Sequence, residues 1–313
     1  SRNKSFEFLE LEIVGSSREL PKYSIDKATF QQEGRNASLI SIHFETNVPQ
    51  STEIEVAYKY EYIADQGQVI HKPELDYASW VTGWYPRTIA DNEGLISIKS
   101  LQIPGSVSFI LKKNWNALAN GKLVADIKTG ENKKQTWSTD EGIAWSYAAA
   151  PFTVSTVVVD DVDVSMYMLN KDKKVVKQKA EQISKIISLL EEKFGPYPFK
   201  TFGLAEIPDK TSDYFGASSE QGFIVAESKN FTNDFGLTLF SHEVAHAWWG
   251  NKFNCTGEGN GFCTEAMAQI GTILGTELIQ GKDAMRDMMD ASSHDYTPYQ
   301  SARGYLLYVE MVT

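Results

Sequence analysis

Cysteine is scarce in this sequence, which holds only Cys255 and Cys263 among its 313 residues. Two cysteines cannot build a disulfide scaffold, and neither lies in the CxxC pattern of a redox site or a zinc ribbon. They fit one loop-closing disulfide in an exported protein or two buried thiols in a cytosolic protein. The compartment is therefore left open, with export and prior removal of a signal peptide as the preferred alternative.

Long apolar runs are also missing. The richest apolar stretch, residues 147–159, is interrupted by Pro151 and by polar residues, and it is shorter than the roughly 20 residues that cross a bilayer. We therefore expect no membrane span. The sequence begins at Ser1 without the basic and apolar regions of a signal peptide, although a removed signal would leave no trace.

Positive charge is in deficit, because 30 Lys and Arg residues face 41 Asp and Glu residues and the formal net charge is −11. A nucleic-acid-binding protein normally carries a basic patch, and attraction to an anionic membrane surface also needs basic residues. Neither partner is expected. The length exceeds what one hydrophobic core usually fills, so we expect two domains.

The first half of the chain has the pattern of β-structure. Apolar residues rich in β-branched and aromatic side chains alternate or run together at residues 39–44, 53–58 and 107–111, which predicts strands there. Asn120-Gly121 is a favoured two-residue turn and predicts a hairpin. The part of the sequence before residue 170 shows no helical pattern.

The pattern changes to a helical period in the second half. Apolar residues from Val176 to Phe194 recur at alternating spacings of four and three, which predicts a helix with one buried stripe. Gly195-Pro196 is expected to end this helix. Short strands and two more helices are predicted to follow, the strands at 202–207 and 223–226 and the helices at 235–249 and 265–280.

These patterns divide the chain into two domains. Residues 1–154 are predicted to form a β domain, and residues 155–313 a domain of helices and strands. The final apolar segment, residues 305–312, resembles an interrupted helix without a cap. We therefore expect the C-terminal part of the second domain to be missing.

The strongest functional signal is the motif His242-Glu243-x-x-His246. On a helix, residues four apart lie on one face with their Cβ atoms about 5–6 Å apart, so both imidazoles can bind one zinc ion. Glu243 can then reach a water at the metal. Such a site needs a third protein ligand, and Glu265, at the start of the next predicted helix, is placed to supply it.

Two other interpretations of this motif are weaker. In the first, the motif lies on a surface helix without function, with two hydrogen-bonded histidines and a solvated glutamate. This interpretation does not explain the presence of Glu265. A metzincin needs a glycine three residues and a histidine six residues after the second histidine. Those positions are Trp249 and Lys252, which excludes a metzincin.

The segment from His242 to Asn251, with Glu265 after it, resembles the zinc site of aminopeptidase N-type metallopeptidases, a family of gluzincins. Residues 194–198 are similar to part of that family's catalytic domain. Two further stretches of this chain, residues 116–124 and 135–137, are similar to segments of the family's N-terminal domain. The resemblance implies an α+β multidomain protein. An N-terminal antiparallel β-sandwich-like domain would be followed by a thermolysin-like α/β catalytic domain.

The resemblance also implies a substrate-binding segment. In the family, a Gly-x-Met-Glu-Asn segment lies beside the substrate, and its Glu binds the free α-amine by a charge-assisted bond. The corresponding stretch here is residues 216–222, and the implied substrate-binding residues are Gly216, Ala217 and Glu220. The stretch departs from the family pattern at three positions, which are Ser218, Ser219 and Gln221.

A catalytic tyrosine is a further feature of the family, in which it hydrogen-bonds the developing oxyanion. Tyr296 and Tyr299 precede an apolar segment, as the family pattern requires, but they follow Glu265 sooner than usual. Tyr299 is the preferred candidate.

The resemblance implies that the chain is a zinc aminopeptidase that acts on peptides with a free N-terminus. His242, His246 and Glu265 would hold one zinc ion per chain. Glu243 would act as the general base, and Tyr299 would support the oxyanion. Two alternatives stay open, a non-catalytic relative that serves as a peptide-binding or scaffold module and an endopeptidase that lacks the amine anchor.

Overall fold

The computed structural model describes residues 6–32, 35–62, 68–82, 84–85, 91–92, 95–96, 103–209, 216–232, 234–253 and 262–294. Across these ranges, none of the helices combines the length and the apolar character that a membrane crossing requires.

Among the described residues up to Ala150, the regular elements are β-strands apart from a short 3₁₀ turn at Trp80–Thr82. The strands are β1 Phe6–Ser16, β2 Tyr23–Gln32, β3 Arg35–Phe44, β4 Ile54–Tyr62, β5 Val69–Lys72, β6 Leu75–Ala78, β7 Asp91–Asn92, β8 Leu95–Ile96, β9 Ile103–Lys112, β10 Asn116–Ala119, β11 Lys122–Thr129, β12 Asn132–Ile143 and β13 Tyr147–Ala150. The three predicted strand segments lie in β3, β4 and β9, so these predictions are confirmed.

Antiparallel pairing organises these strands into small sheets. The larger ones have the strand orders β10-β13-β6-β5 and β11-β12-β9, while β1 pairs with β4, β2 with β3 and β7 with β8. Successive residues of such strands point to opposite faces, and both faces of the first sheet are buried. Tyr77 and Leu118 pair with Ala148 and share its face, whereas Tyr147 lies on the other face.

The hairpin predicted at Asn120-Gly121 is wrong. Strand β10 before the turn pairs with β13, and β11 after it pairs with β12, so the chain passes from one sheet to another. Gly121 has φ +82°, and a Cβ there would lie 2.4 Å from the carbonyl oxygen of Ser138. Asn120-Gly121 therefore has the backbone freedom of a hairpin turn, but it connects strands of two different sheets. Contacts with strands distant in sequence decide which strands pair.

The second part of the chain alternates strands and helices. Its elements are β14 Phe152–Val159, β15 Val162–Leu169, α1 Lys173–Phe194, β16 Thr201–Ile207, β17 Ala217–Glu220, β18 Phe223–Glu227, α2 Asp234–Ala245, α3 Met267–Gln280 and α4 Lys282–His294. Strand β14 belongs to the five-stranded sheet of this part of the chain, and the division predicted between residues 154 and 155 stays a prediction.

One five-stranded sheet organises this domain, in the order β14-β15-β16-β18-β17. Its three inner strands are parallel, and both edge strands are antiparallel to their neighbours. One face packs against the helices through side chains such as Leu204 and Ile224. The other face packs against the N-terminal β domain through residues such as Phe223 and Val225.

Helix α1 confirms the predicted helix and its stop signal. Asp172 caps its N-terminus by accepting hydrogen bonds from the backbone amides of Lys174 and Val175, and Gly195 ends it with φ 87°. Burial of each large aliphatic side chain on its stripe contributes about 1.5–3 kcal/mol. The buried residues are Val176, Ala180, Ile183, Ile186, Ile187 and Leu190.

The two helices around the motif differ from their predicted bounds. Helix α2 ends at Ala245 and not at Trp249, and a π-helical turn, Phe262–Ala266, precedes α3. Helix α4 was not predicted. Cys263 is disulfide-bonded, which agrees with the disulfide alternative, while Cys255 lies outside the described residues.

Candidate metal centre

The three predicted ligands come from two neighbouring helical segments. His242 lies in the last turn of α2, and the backbone amide of His246 donates to the carbonyl oxygen of His242 at 3.3 Å just beyond the helix end. Glu265 lies in the π-helical turn before α3. The end of one helix and the start of the next therefore meet at one point.

Glycine allows α2 and α3 to approach closely. A Cβ on Gly271 would lie 2.6 Å from the Cβ of Ala245, and one on Gly275 would lie 2.0 Å from the Oγ of Ser241. Side chains at these positions would force the helices apart. The close approach places the first turns of α3 beside His242.

The ligand atoms converge. The Nε2 atoms of His242 and His246 are 3.2 Å apart, and a carboxylate oxygen of Glu265 lies 3.5 Å from the first and 3.7 Å from the second. Among the described residues, these three form the group of acidic, histidine and cysteine side chains placed to hold a metal ion.

The protonation state of His246 follows from its second ring nitrogen. Its Nδ1 lies 3.0 Å from the carbonyl oxygen of Trp249. A carbonyl oxygen only accepts hydrogen bonds, so Nδ1 carries the proton and donates it. In the neutral ring, Nε2 is left with a lone pair that points toward His242 and Glu265.

His242 is held in the same way by a hydroxyl group. Its Nδ1 lies 3.2 Å from the Oγ1 of Thr272, and that hydroxyl donates its own proton to the Oε1 of Gln269 at 3.4 Å. The hydroxyl oxygen therefore accepts from the ring, and the proton of His242 sits on Nδ1. Its Nε2 also presents a lone pair to the centre.

These residues fit a zinc ion. Two lone pairs that face each other at 3.2 Å repel unless a cation lies between them. In a tetrahedral site with zinc–ligand bonds of about 2.0–2.2 Å, ligand atoms are separated by about 3.3–3.6 Å, and the three observed separations bracket this range. Two imidazoles and a carboxylate are also a ligand set of catalytic zinc sites.

The electrostatic environment favours the metal-binding forms. Burial, followed by the neighbouring His242, lowers the pKa of His246 and keeps the ring neutral. The adjacent His242 lowers the pKa of Glu265 and keeps it ionised, although burial acts against this. A neutral imidazole and a carboxylate are the forms that bind divalent ions.

Glu243 has the features of a proton acceptor beside this centre. Burial raises its pKa to about 7, the nearby carboxylate of Glu265 adds to the rise, and His242 acts against it. A cation held by the adjacent ligands would lower the pKa again.

The structure places Glu220 on the face of the five-stranded sheet opposite the helices that carry the predicted zinc ligands. Glu220 pairs with Phe223 across the β17–β18 hairpin, and Phe223 belongs to the cluster that faces the N-terminal domain. Directly paired residues of an antiparallel pair share a face, so the carboxylate points away from α2. Ser219, paired with Ile224, takes the face toward the helices.

The carboxylate that the resemblance assigned to a substrate amine is occupied by the protein itself. Glu220 is 3% exposed, and its two oxygens accept hydrogen bonds from the hydroxyls of Tyr77 at 2.9 Å and Ser146 at 2.7 Å. Burial raises its pKa, and hydrogen bonds from the hydroxyls of Ser146, Ser79 and Tyr77 oppose the rise.

Gly216 and Ala217, the other two implied substrate-binding residues, make contacts within the protein. The carbonyl oxygen of Gly216 accepts from the side chain of Asn230 at 2.9 Å, and Ala217 packs against the core on the helix side. Their contact with a substrate stays a prediction. Tyr296 and Tyr299 lie outside the described residues.

The sequence did not identify two groups that contact the ligand rings, namely the hydroxyl of Thr272 and the carbonyl of Trp249. Thr272 follows Glu265 by seven residues, about two helical turns, and this spacing was the available signal. The contact with Trp249 depends on the turn after α2, which a periodicity pattern does not describe.

Known structures share this fold. Alignment with an M1 zinc metallopeptidase from Deinococcus radiodurans has a TM-score of 0.60 at 15% identity. A mutant of a two-domain M1 zinc metallopeptidase bound to L-arginine gives 0.59 at 14%, and a mutant from Deinococcus radiodurans bound to a Tyr-Ser-Ala substrate gives 0.58 at 15%. Each alignment covers 92% of this chain and 66% of the other, so the chain spans just under two thirds of their length. Neither a protein-family model nor a curated protein matches the sequence.

Proposed function

We propose that this protein is a zinc-dependent peptidase. The observation that carries the proposal is the convergence of two imidazole Nε2 atoms and one carboxylate oxygen, 3.2–3.7 Å apart, with Glu243 next to the first of these ligands in the chain. The fold shared with M1 zinc metallopeptidases supports it. We also propose that the five-stranded sheet with α1 to α3 is a thermolysin-like catalytic domain.

Each residue of the centre has a chemical task. His242, His246 and Glu265 would hold the metal, with the two rings oriented by Thr272 and by the turn after α2. When bound, zinc polarises a carbonyl oxygen and makes a water acidic. The carboxylate of Glu243 would accept the proton of the attacking water and deliver it to the leaving amine.

The narrower activity proposed is that of an aminopeptidase. The resemblance of the zinc motif supports it, as do the ligands of the structural neighbours, one of which binds a tripeptide and another a single amino acid. Tyr299 remains the candidate for supporting the oxyanion. Peptides with a free N-terminus are the proposed substrates, and one zinc ion per chain is the proposed cofactor.

An endopeptidase is the second candidate, and one observation favours it. Both carboxylate oxygens of Glu220 accept hydrogen bonds from Tyr77 and Ser146, so this residue is not free to bind a substrate amine. A site that uses no amine anchor would also cut bonds within a chain. The scaffold alternative is disfavoured, because it would give Glu243 no role.

The test is peptide hydrolysis by metal-depleted protein to which one equivalent of zinc is returned. Free and N-acetylated peptides of the same sequence are compared by mass spectrometry of the products. Zinc-dependent cleavage is expected, with removal of single N-terminal residues from free peptides for an aminopeptidase and internal cleavage of both for an endopeptidase. Absence of cleavage by the zinc-loaded protein, across a mixed peptide library, would contradict the peptidase proposal.

A further inference from the structure

Glu220 connects the N-terminal domain to the edge of the second sheet. Its carboxylate accepts from Tyr77 in β6 and from Ser146, which precedes β13. The backbone amide of Trp80 donates to the same Ser146 hydroxyl at 2.8 Å. The carboxylate therefore sits in a hydrogen-bonded socket formed by the N-terminal domain.

A second set of bonds fastens the same hairpin. The side chain of Asn120 donates to the carbonyl oxygen of Gln221 at 2.7 Å and accepts from the backbone amide of Ser146. The Oε1 of Gln221 accepts from the backbone amide of Ala144 at 2.9 Å. The hairpin of β17 and β18 is thus tied to the N-terminal domain at two adjacent residues.

Asn251 continues this network to the metal centre. Its side-chain amide donates to the Oγ of Ser219 at 3.0 Å and to the backbone carbonyl of Glu220 at 3.1 Å. Its own backbone amide donates to the carbonyl oxygen of His246 at 3.0 Å. One residue therefore joins the backbone of Glu220 to the backbone of a predicted zinc ligand.

We propose that Glu220 is a positioning residue that fixes the β17 edge against the N-terminal domain, so that Asn251 holds the turn carrying His246 in zinc-binding geometry. Burying a carboxylate is costly unless hydrogen bonds compensate, and here each oxygen receives at least one. This inference rests on the zinc site of the proposed function. It replaces the substrate-amine role that the resemblance implied for Glu220.

The two roles predict opposite behaviour for Glu220→Gln. As a positioning residue, Gln preserves the shape of the side chain, and its amide oxygen and nitrogen can still bond to the hydroxyls of Tyr77 and Ser146. As an amine anchor, Gln would lose the charge-assisted bond. Glu220→Ala removes the socket contacts in either case.

The experiment measures the zinc dissociation constant by competition with a chromogenic chelator, using the full chain. Glu220→Ala and Asn251→Ala should each weaken zinc binding on the order of tenfold, the lower end of the effect of outer groups that orient metal ligands. Glu220→Gln should lose less affinity than the roughly tenfold of Glu220→Ala, because its contacts are retained. Asn251 is only partly buried, so its variant tests the proposal even if Glu220→Ala does not fold.

Lys200→Ala is the matched control. Lys200 makes an exposed contact with Asp140 of the N-terminal domain at 2.9 Å and takes no part in the network. Its variant should bind zinc as the parent does. Equal weakening by Lys200→Ala would show that any loosening of the domain contact suffices, and unchanged zinc binding in Asn251→Ala would also overturn the proposal.

Peptide turnover supplies a second readout. A positioning role predicts that Glu220→Gln changes kcat/KM for free and N-acetylated peptides by the same factor, whereas a selective loss for free peptides would restore the amine-anchor role. Zinc affinity is measured without turnover. A protein that binds zinc as predicted but cleaves no peptide would therefore refute the peptidase proposal and leave this inference standing.

Discussion

His246 donates its Nδ1 proton to the carbonyl oxygen of Trp249, three residues further along the chain and 3.0 Å away. The end of helix α2 at Ala245 makes this contact available, because the chain then turns back on itself. The acceptor fixes the tautomer of the ring and leaves its Nε2 free for a metal ion. The end of the helix at Ala245 thus contributes to the candidate metal centre.

Removal of one imidazole should abolish stoichiometric zinc binding. His246→Ala takes away one of three ligands, and the two that remain do not make a closed protein site. Metal analysis after dialysis should give about one zinc per parent chain and far less for the variant. His43→Ala is the control, because His43 pairs with Asp26 on the exposed surface, and it should keep the full equivalent. A full equivalent in His246→Ala would show that this residue is not a ligand.

Thr272→Val should weaken zinc binding without unfolding the protein. Valine has nearly the shape of threonine but cannot accept the Nδ1 proton of His242, which orients the ring. Loss of such an outer partner typically costs about 10–100-fold in metal affinity. Thr272→Ser keeps the hydroxyl and should restore most of the affinity. If the Thr272→Val and Thr272→Ser variants bind zinc with equal affinity, the hydroxyl does not orient His242.

Glu243→Gln should keep zinc and the fold but lose turnover. The amide cannot accept a proton from water, and general-base catalysis is typically worth about 10²–10⁴-fold in rate. Steady-state kinetics on the zinc-loaded variant measure the loss, with Glu181→Gln, a change at an exposed partner of Lys177, as the control. A rate near that of the parent would remove Glu243 from the mechanism.

Gly271→Ala should lower both stability and zinc affinity. The added methyl group would lie 2.6 Å from the Cβ of Ala245, so α3 must move away from α2. Overpacking costs about 1–3 kcal/mol, of which the better helix propensity of alanine offsets up to about 1 kcal/mol. Denaturant titration and chelator competition measure the two effects. Gly105→Ala, with open space around the added group, should change neither quantity, and an unaffected Gly271→Ala would contradict the tight helix contact.

The apolar periodicity of the sequence correctly predicted the helices and strands whose structure is specified by their own residues. Helix α1 has an apolar stripe from Val176 to Leu190 and a glycine at its end, so its local signals agree with its environment. The strands around residues 39–44 and 107–111 were predicted on the same basis. The motif His242-Glu243-x-x-His246 could be interpreted because helical spacing alone brings its two rings to one face.

The remaining features depend on partners that are distant in sequence. Strand β17 is short and polar, and it becomes a strand by pairing with β18. The same pairing decides the face to which Glu220 points, and a shift of one residue in register reverses that face. The motif comparison assigned a role to the carboxylate from its place in the sequence, whereas the sheet register determines what it contacts.

The central claim is that His242, His246 and Glu265 bind one zinc ion. It is tested most directly by diffraction data collected on both sides of the zinc absorption edge from crystals of the zinc-loaded protein. The account predicts one strong anomalous peak per chain, about 2.0–2.2 Å from the Nε2 atoms of His242 and His246 and from a carboxylate oxygen of Glu265. A fully occupied zinc peak at other residues, with none at these three, would contradict it.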